Sequence, residues 1–412
     1  MATIRPRAAF RTLPSDADIT GRNFGAEEVK HLQKVIESGT LRRTNGGYVS
    51  QFESEFCRRY GVDYTGCVTS ASAAIHVAVA AIDPEPGDEI ITSPITDMGA
   101  ITPILYQAAI PIFADVDPQN YNMKAETIAP RITKRTRAII VTHLFGNVCD
   151  MDPILELAAA HRLPVIEDAG HALFAAYKGR QAGTLGDIGC FSLHQSSHMT
   201  AGDGGFVITS NEQYAGRMDH FIRGAWETDA PSPENQILAL NYRMNELQGA
   251  VALAQLDKVD RVIQAKIKNA ALMDILITGV PGVLPPATTP HSRHVYLKYC
   301  LSIDDSQIQG GADAFAASLQ ERGIRAVPRY IREPVFMSEV LREQRTFGGS
   351  GFPFRGPHRK GLPAVRYHIE EYTGATSALA KACALPWNEF FTEDDVRYIA
   401  DAVRETSSEL RG

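Results

Sequence analysis

The chain has 412 residues, a formal charge of -7 and 44 % hydrophobic residues, enough to bury a large core and most simply divided into two domains. That acidic balance excludes a general affinity for nucleic-acid backbones, which requires a basic face. Cys57, Cys67, Cys149, Cys190, Cys300 and Cys383 are scattered, without the close pairs of a structural zinc site or redox motif, and read as reduced thiols. The opening MATIRPRAAFRTLPSD has no apolar core of signal-peptide length, and no apolar run is long enough to span a membrane, so a soluble, cytoplasmic protein is expected.

In chain order, residues 27 to 38 predict a helix with Val29, Leu32, Val35 and Ile36 on one face. A second helix is predicted over 50 to 60, after the turn-rich LRRTNGGY, and a first core strand over 64 to 69. The small, apolar stretch 72 to 81 fits a buried helix directly after a strand. Strands follow at 89–92, 110–114, 138–142, 164–167, 188–192 and 205–209, with helical segments near 103–108, 125–132 and 153–161. This alternation predicts an α/β fold with a mostly parallel seven-stranded sheet flanked by helices.

A long helical pattern over 245 to 268 leaves this first unit, and a proline-rich stretch follows over 280 to 290. Beyond it we expect a strand at 294–303, a helix at 312–322, a strand at 324–328, a long Gly/Pro/Arg-rich loop at 346–363 and a last helix at 392–410. The expected division is a large domain over 1–262, including the N-terminal segment, and a smaller α+β domain over 263–412.

Four segments carry the chemistry. TSASAAIH, 69 to 76, follows a strand and opens a helix, where small side chains let an anion approach free backbone N–H groups; plain strand–helix packing uses the same pattern. VIEDAGHA, 165 to 172, ends an apolar strand in two carboxylates with His171 three residues past Asp168, where α/β folds place ligands; Asp168 serves equally as a helix cap. In FSLHQSSHMTAGDGG, 191 to 205, Ser192 and Ser196 are hydroxyl donors and the glycines allow a sharp turn beside a ligand. LNYRMNELQ, 240 to 248, sets Asn241 and Arg243 just before the long helix.

In order and spacing these segments resemble the DegT family of sugar and cyclitol aminotransferases, pyridoxal-phosphate (PLP) enzymes of fold type I. The resemblance runs from about Gly21 to the final helix and includes Ser38-Gly39 with FESEF, GDEII at 87–91, FADVDP at 113–118, HLFGNVCDMDPI at 143–154 and LPWNEFFTEDD at 385–395. It implies that the domain over 1–262 binds the cofactor, with Ala71 and Ser72 at its phosphate, Asp168 at the pyridine nitrogen, His171 beside the ring hydroxyl and Ser192 as a second phosphate ligand. It also implies that Asn241 reaches the phosphate from the other subunit of a homodimer with shared active sites.

Two positions depart from the family pattern. After Thr96, where the family commonly has an aromatic that stacks on the cofactor, stands Asp97, so stacking must come from elsewhere. The position of the Schiff-base lysine is Ser197, with the flanking motifs in register; Lys134 and Lys178 lie in other segments. A serine hydroxyl cannot form an imine and is a weak base, so PLP or pyridoxamine phosphate (PMP) is expected to be held non-covalently if Ser197 is native. His198, adjacent, reads as a pocket residue and a candidate base.

Three readings follow. The first is an aminotransferase of a keto-sugar or keto-cyclitol using a donor such as glutamate or glutamine, with turnover in question. The second is a lysine-less PMP-dependent sugar 3-dehydratase, and the third a non-catalytic ligand-binding scaffold. The loops 220–235 and 328–363 are expected to read substrate hydroxyls, and Arg243 or Arg329 to meet the donor's carboxylate.

Overall fold

The structure is a computed structural model describing residues 11–224 and 237–411. Residues 225–235 of the expected substrate loop therefore lie outside the described residues.

The central sheet has seven strands in the order Tyr64–Val68, Gly205–Thr209, Ile188–Ser192, Val165–Asp168, Thr136–Thr142, Glu89–Thr92, Ile110–Phe113. Gly205–Thr209 runs antiparallel to both neighbours and every other pair is parallel, as expected for a mostly parallel sheet. Strand alternation divides the interior. Ile139 and Val141 point into one buried cluster, Ala138 and Ile140 into another across the sheet. Both faces are covered, which is why these strands read as continuous apolar runs. The helix Ala71–Ile82 packs on the second face between Met98–Tyr106 and Glu212–Arg223, and its alanines let it lie close to the strands.

A second, antiparallel sheet is ordered Val283–Leu284, Lys298–Ile303, Ala382–Pro386, Val327–Pro328. The expected strand at 294–303 starts only at Lys298, because the preceding residues are taken by the large sheet's loops: Val295 N–H donates to Gly146 O and Leu297 N–H to Phe145 O. A further tie comes from Asp115, whose carboxylate accepts from Gly374 N and Ala375 N, both at 2.8 Å, capping the helix Thr373–Lys381.

Other elements depart from the sequence reading. The predicted helix over 245–268 is two helices, Glu246–Leu256 and Val259–Ile277. At the break the Lys258 ammonium reaches Glu28 at 2.7 and 2.8 Å and also the Asn23 carbonyl. Position 262 lies inside the second of these helices, whose Val259 and Ile263 join the large core while Ala270, Met273 and Ile277 join the core of the small sheet. On the helix Ala26–Ser38 only Val35 of the expected apolar face is buried; Val29 is 65 % and Ile36 62 % exposed. Among the described residues no helix is long and apolar enough to cross a membrane.

Glu246 shows how distant segments are fastened. Its buried carboxylate accepts from Gly47 N at 2.8 Å, Tyr48 N at 2.7 Å and Val49 N at 3.4 Å, capping the helix Tyr48–Tyr60. Glu246→Ala leaves these donors buried without a charged acceptor and is expected to cost about 2–3 kcal/mol. A lowered urea midpoint with unchanged slope would show it; an unchanged midpoint would refute it.

Candidate active site

A cavity of about 460 Å3 opens at the C-terminal ends of the parallel strands, between the large sheet and the start of the small one. One wall is the first turn of the helix Ala71–Ile82. Ser70 caps it, its Oγ accepting from Ala73 N at 3.0 Å, while Ala71 and Ser72 face the cavity. Close approach here needs glycine: a Cβ on Gly205 would meet Ser70 O at 2.5 Å, and one on Gly99 would meet Ser72 Oγ at 2.4 Å. The result is a set of free N–H groups at a helix start, the electrostatics an anion needs.

Asp168 ends its strand in the same cavity. Among the described residues its oxygens have only long partners, Gly170 N at 3.3 Å and Thr142 Oγ1 at 3.5 Å. Burial, with nearby Asp97 adding to it, pushes the carboxyl up to about 6. A carboxylate so poorly satisfied calls for a donor or cation from the cavity. His171 receives Phe145 N–H on Nδ1 at 3.3 Å, which places the proton of the neutral ring on Nε2. Burial and then Lys298 push its pKa down to about 3, so His171 is a neutral hydrogen-bond donor.

The loop after the strand Ile188–Ser192 completes the wall. Ser192 Oγ accepts from Ser197 Oγ at 3.0 Å and from His194 N at 3.1 Å, leaving its own O–H to donate to a ligand. Ser197 is 5 % exposed, and its backbone is fixed by N–H to His194 O at 2.9 Å and by Arg22 Nη1 on its carbonyl at 3.0 Å. Asp97 lines the cavity while its Oδ1 accepts from Gly99 N at 2.6 Å, capping Met98–Tyr106.

The structure thus brings Ala71, Ser72, Asp97, Asp168, His171, Ser192 and Ser197 together around one cavity. It does not place His198 there: that ring is buried behind the loop with Nε2 2.9 Å from Val295 O. Asn241 is exposed, accepts from Arg243 Nε at 3.0 Å and does not line the cavity of its own chain. Arg243 is likewise absent from it, and Arg329 is held by Asp313 at the surface.

Tyr330 and Lys298 are cavity residues that the sequence did not single out. Tyr330 follows Arg329, and both have left-handed backbone, φ 56 and 63, a strained pair that turns the Tyr330 ring into the cavity. The ring packs edge-on to Phe145 at 4.7 Å; burial, Asp97 and Asp168 together raise its hydroxyl's pKa. Lys298, the first residue of its strand, also lines the cavity. Only a pairing between segments far apart in the chain brings either residue here.

Residues 22–353 match the model of the DegT/DnrJ/EryC1/StrS aminotransferase family. The chain is 29 % identical over 399 residues to the spore coat polysaccharide biosynthesis protein SpsC of Bacillus subtilis, covering 93 % of this chain and 95 % of that one. It is 33 % identical over 284 residues to GDP-perosamine synthase of Caulobacter vibrioides, covering 69 % and 76 %. Among solved structures, an aminotransferase from Psychrobacter cryohalolentis superposes with a TM-score of 0.84 at 25 % identity, covering 95 % and 98 %.

Proposed function

Because this chain belongs to the DegT/DnrJ/EryC1/StrS aminotransferase family, whose fold and PLP-dependent transferase character it shares, we propose that it binds PLP or PMP in this cavity and acts on a keto-sugar or keto-cyclitol. The observation that carries the reading is one cavity holding both an unshielded helix start and a half-buried carboxylate that has no short hydrogen bond among the described residues. A phosphorylated pyridine has the two matching ends. Once bound, it supplies an electron sink for chemistry at the substrate carbon.

The chain's own groups divide the work. Ala71 and Ser72 N–H with the Ser192 hydroxyl bind the phosphate, Asp168 holds the protonated ring nitrogen, and His171 donates beside the ring hydroxyl. Tyr330 supplies the aromatic surface missing at Asp97. The likeness to a GDP-perosamine synthase supports a nucleotide-linked keto-sugar as substrate, with glutamate or glutamine as amino donor. Asn241 serves the second subunit's phosphate in a homodimer with shared sites. Its exposure supports this, as do the exposed apolar Ile19, Phe24, Val29, Ile36 and Leu41 on the N-terminal segment.

The aminotransferase family match favours amination over dehydration on free PMP; both reactions need a proton-transfer group at the reacting carbon, and position 197 supplies none. Ser197 has only a hydroxyl, already committed to Ser192, and His198 faces Val295. Calorimetric titration of dialysed protein with PMP, then with PLP, tests the reading. Binding in the micromolar range is expected, weakened by Ser72→Asp, which sets a negative charge at the phosphate seat. Failure to bind either form at high micromolar concentration would leave a scaffold without this cofactor.

A further inference from the structure

Position 197 has no amine, yet the cavity does. Among the described residues Lys298 is the one lysine lining it. Lys298 is half-buried, and the fully buried lysines among the described residues are committed elsewhere: Lys258 to Glu28 at 2.7 Å, and Lys266 to Trp387 O at 2.6 Å with Glu389 at 3.7 Å. Among the described residues the Lys298 ammonium has no hydrogen bond or ion pair; Asp16, Cys300 and Arg325 act on it only through longer-range electrostatics.

The backbone beneath Lys298 is rigid. Leu297 N–H donates to Phe145 O at 2.8 Å, and Lys298 pairs with Pro386 across the small sheet. Phe145 in turn lies parallel to His171, interplanar angle 9°, and gives that ring its N–H. One set of contacts therefore fixes both His171 and Lys298 against the cavity.

We propose that Lys298 is the amine of this site, condensing with the aldehyde of pyridoxal phosphate in the role that residue 197 cannot fill. This rests on the reading that the cavity takes that cofactor. The lone pair of neutral Nζ adds to the aldehyde carbon; the carbonyl oxygen leaves as water with the two amine hydrogens, and a C=N bond remains. No oxidant or reductant is consumed. Burial holds the Lys298 pKa below the usual lysine range, which enlarges the neutral fraction that reacts.

The test is covalent capture. The full chain is incubated with PLP, reduced with borohydride, digested and mapped by mass spectrometry. The phosphopyridoxyl adduct is expected on Lys298, with loss of that adduct and of the accompanying visible absorption in Lys298→Ala and Lys298→Arg. Both variants should still bind PMP, which brings its own amine, and that binding also reports an intact fold.

An adduct spread over surface lysines with Lys298 clean would overturn the proposal, as would an unchanged adduct yield in Lys298→Ala. The Ser197→Lys variant separates the two readings. Capture at its position 197 with Lys298 clean in the parent protein leaves the cofactor reading standing and removes Lys298. If neither protein binds PLP or PMP, both readings fall.

Discussion

Replacing Ser197 by lysine is expected to create a covalent PLP site at position 197 and to speed amino transfer by about 10²- to 10⁴-fold, the usual worth of a positioned proton-transfer group. The backbone there is already fixed, by Ser197 N–H on His194 O and by Arg22 on the Ser197 carbonyl. The Ser197 Cβ points to Ser192, a cavity residue, so a longer side chain extends into a space of about 460 Å3 rather than into packed core. Adding PLP to Ser197→Lys and reducing with borohydride should place the phosphopyridoxyl adduct on residue 197 in peptide mapping, where the parent protein has none. Single-turnover conversion of PMP to PLP with a keto acceptor would then measure the gain. A variant that folds and binds PMP but shows neither an adduct at 197 nor faster conversion would mean that residue 197 does not face the aldehyde end of the cofactor.

How much of this was legible before the fold was known depends on where the signal resides. The seat for a phosphate and the carboxylate opposite it are each written in a few consecutive residues, TSASA and VIEDAGH, because a strand's end and the turn after it are local features. The strands Glu89–Thr92, Ile188–Ser192 and Gly205–Thr209 were read to the residue, since burial on both faces leaves uninterrupted apolar runs.

The rest depends on partners far along the chain. Val29 and Ile36 follow helical periodicity but face outward, because the helix docks through Val35 and through Glu28, which meets Lys258 and Gln255. The break after Leu256 has no proline or glycine to announce it; it falls where Lys258 turns in to Glu28. Lys298 is one polar residue among several in its stretch until Leu297 is fastened to Phe145. Asp97 was read as a departure from an aromatic pattern, and the structure adds that it caps a helix and raises the carboxyl of Asp168.

That coupling sets the second large effect. The Asp168 carboxyl, pushed up to about 6 by burial with Asp97 adding to it, protonates just below neutrality in the free protein, and only its charged form holds a protonated ring nitrogen. Affinity for PMP should therefore fall as pH drops through about 6, approaching tenfold per pH unit below it. His171 does not blur this profile, since its pKa of about 3 keeps it neutral throughout. Asp168→Asn should bind roughly 10- to 100-fold more weakly at pH 8, the worth of a charge-assisted hydrogen bond, and show a flat profile.

Stability should move the other way. A carboxyl whose folded pKa lies above its unfolded value contributes most at acid pH, and that contribution is lost as pH rises through the folded pKa. Ligand-free Asp168→Asn should then be more stable than the parent at pH 8, by about 1–2 kcal/mol after allowing for cavity water, with roughly half of that gap left at pH 5 and the two converging only below the unfolded carboxyl pKa. Thermal melts of both proteins at the two pH values check the sign. A variant that melts lower at pH 8, or a parent whose PMP affinity ignores pH, would show that Asp168 already has a partner inside the protein and is not the group waiting for the ring.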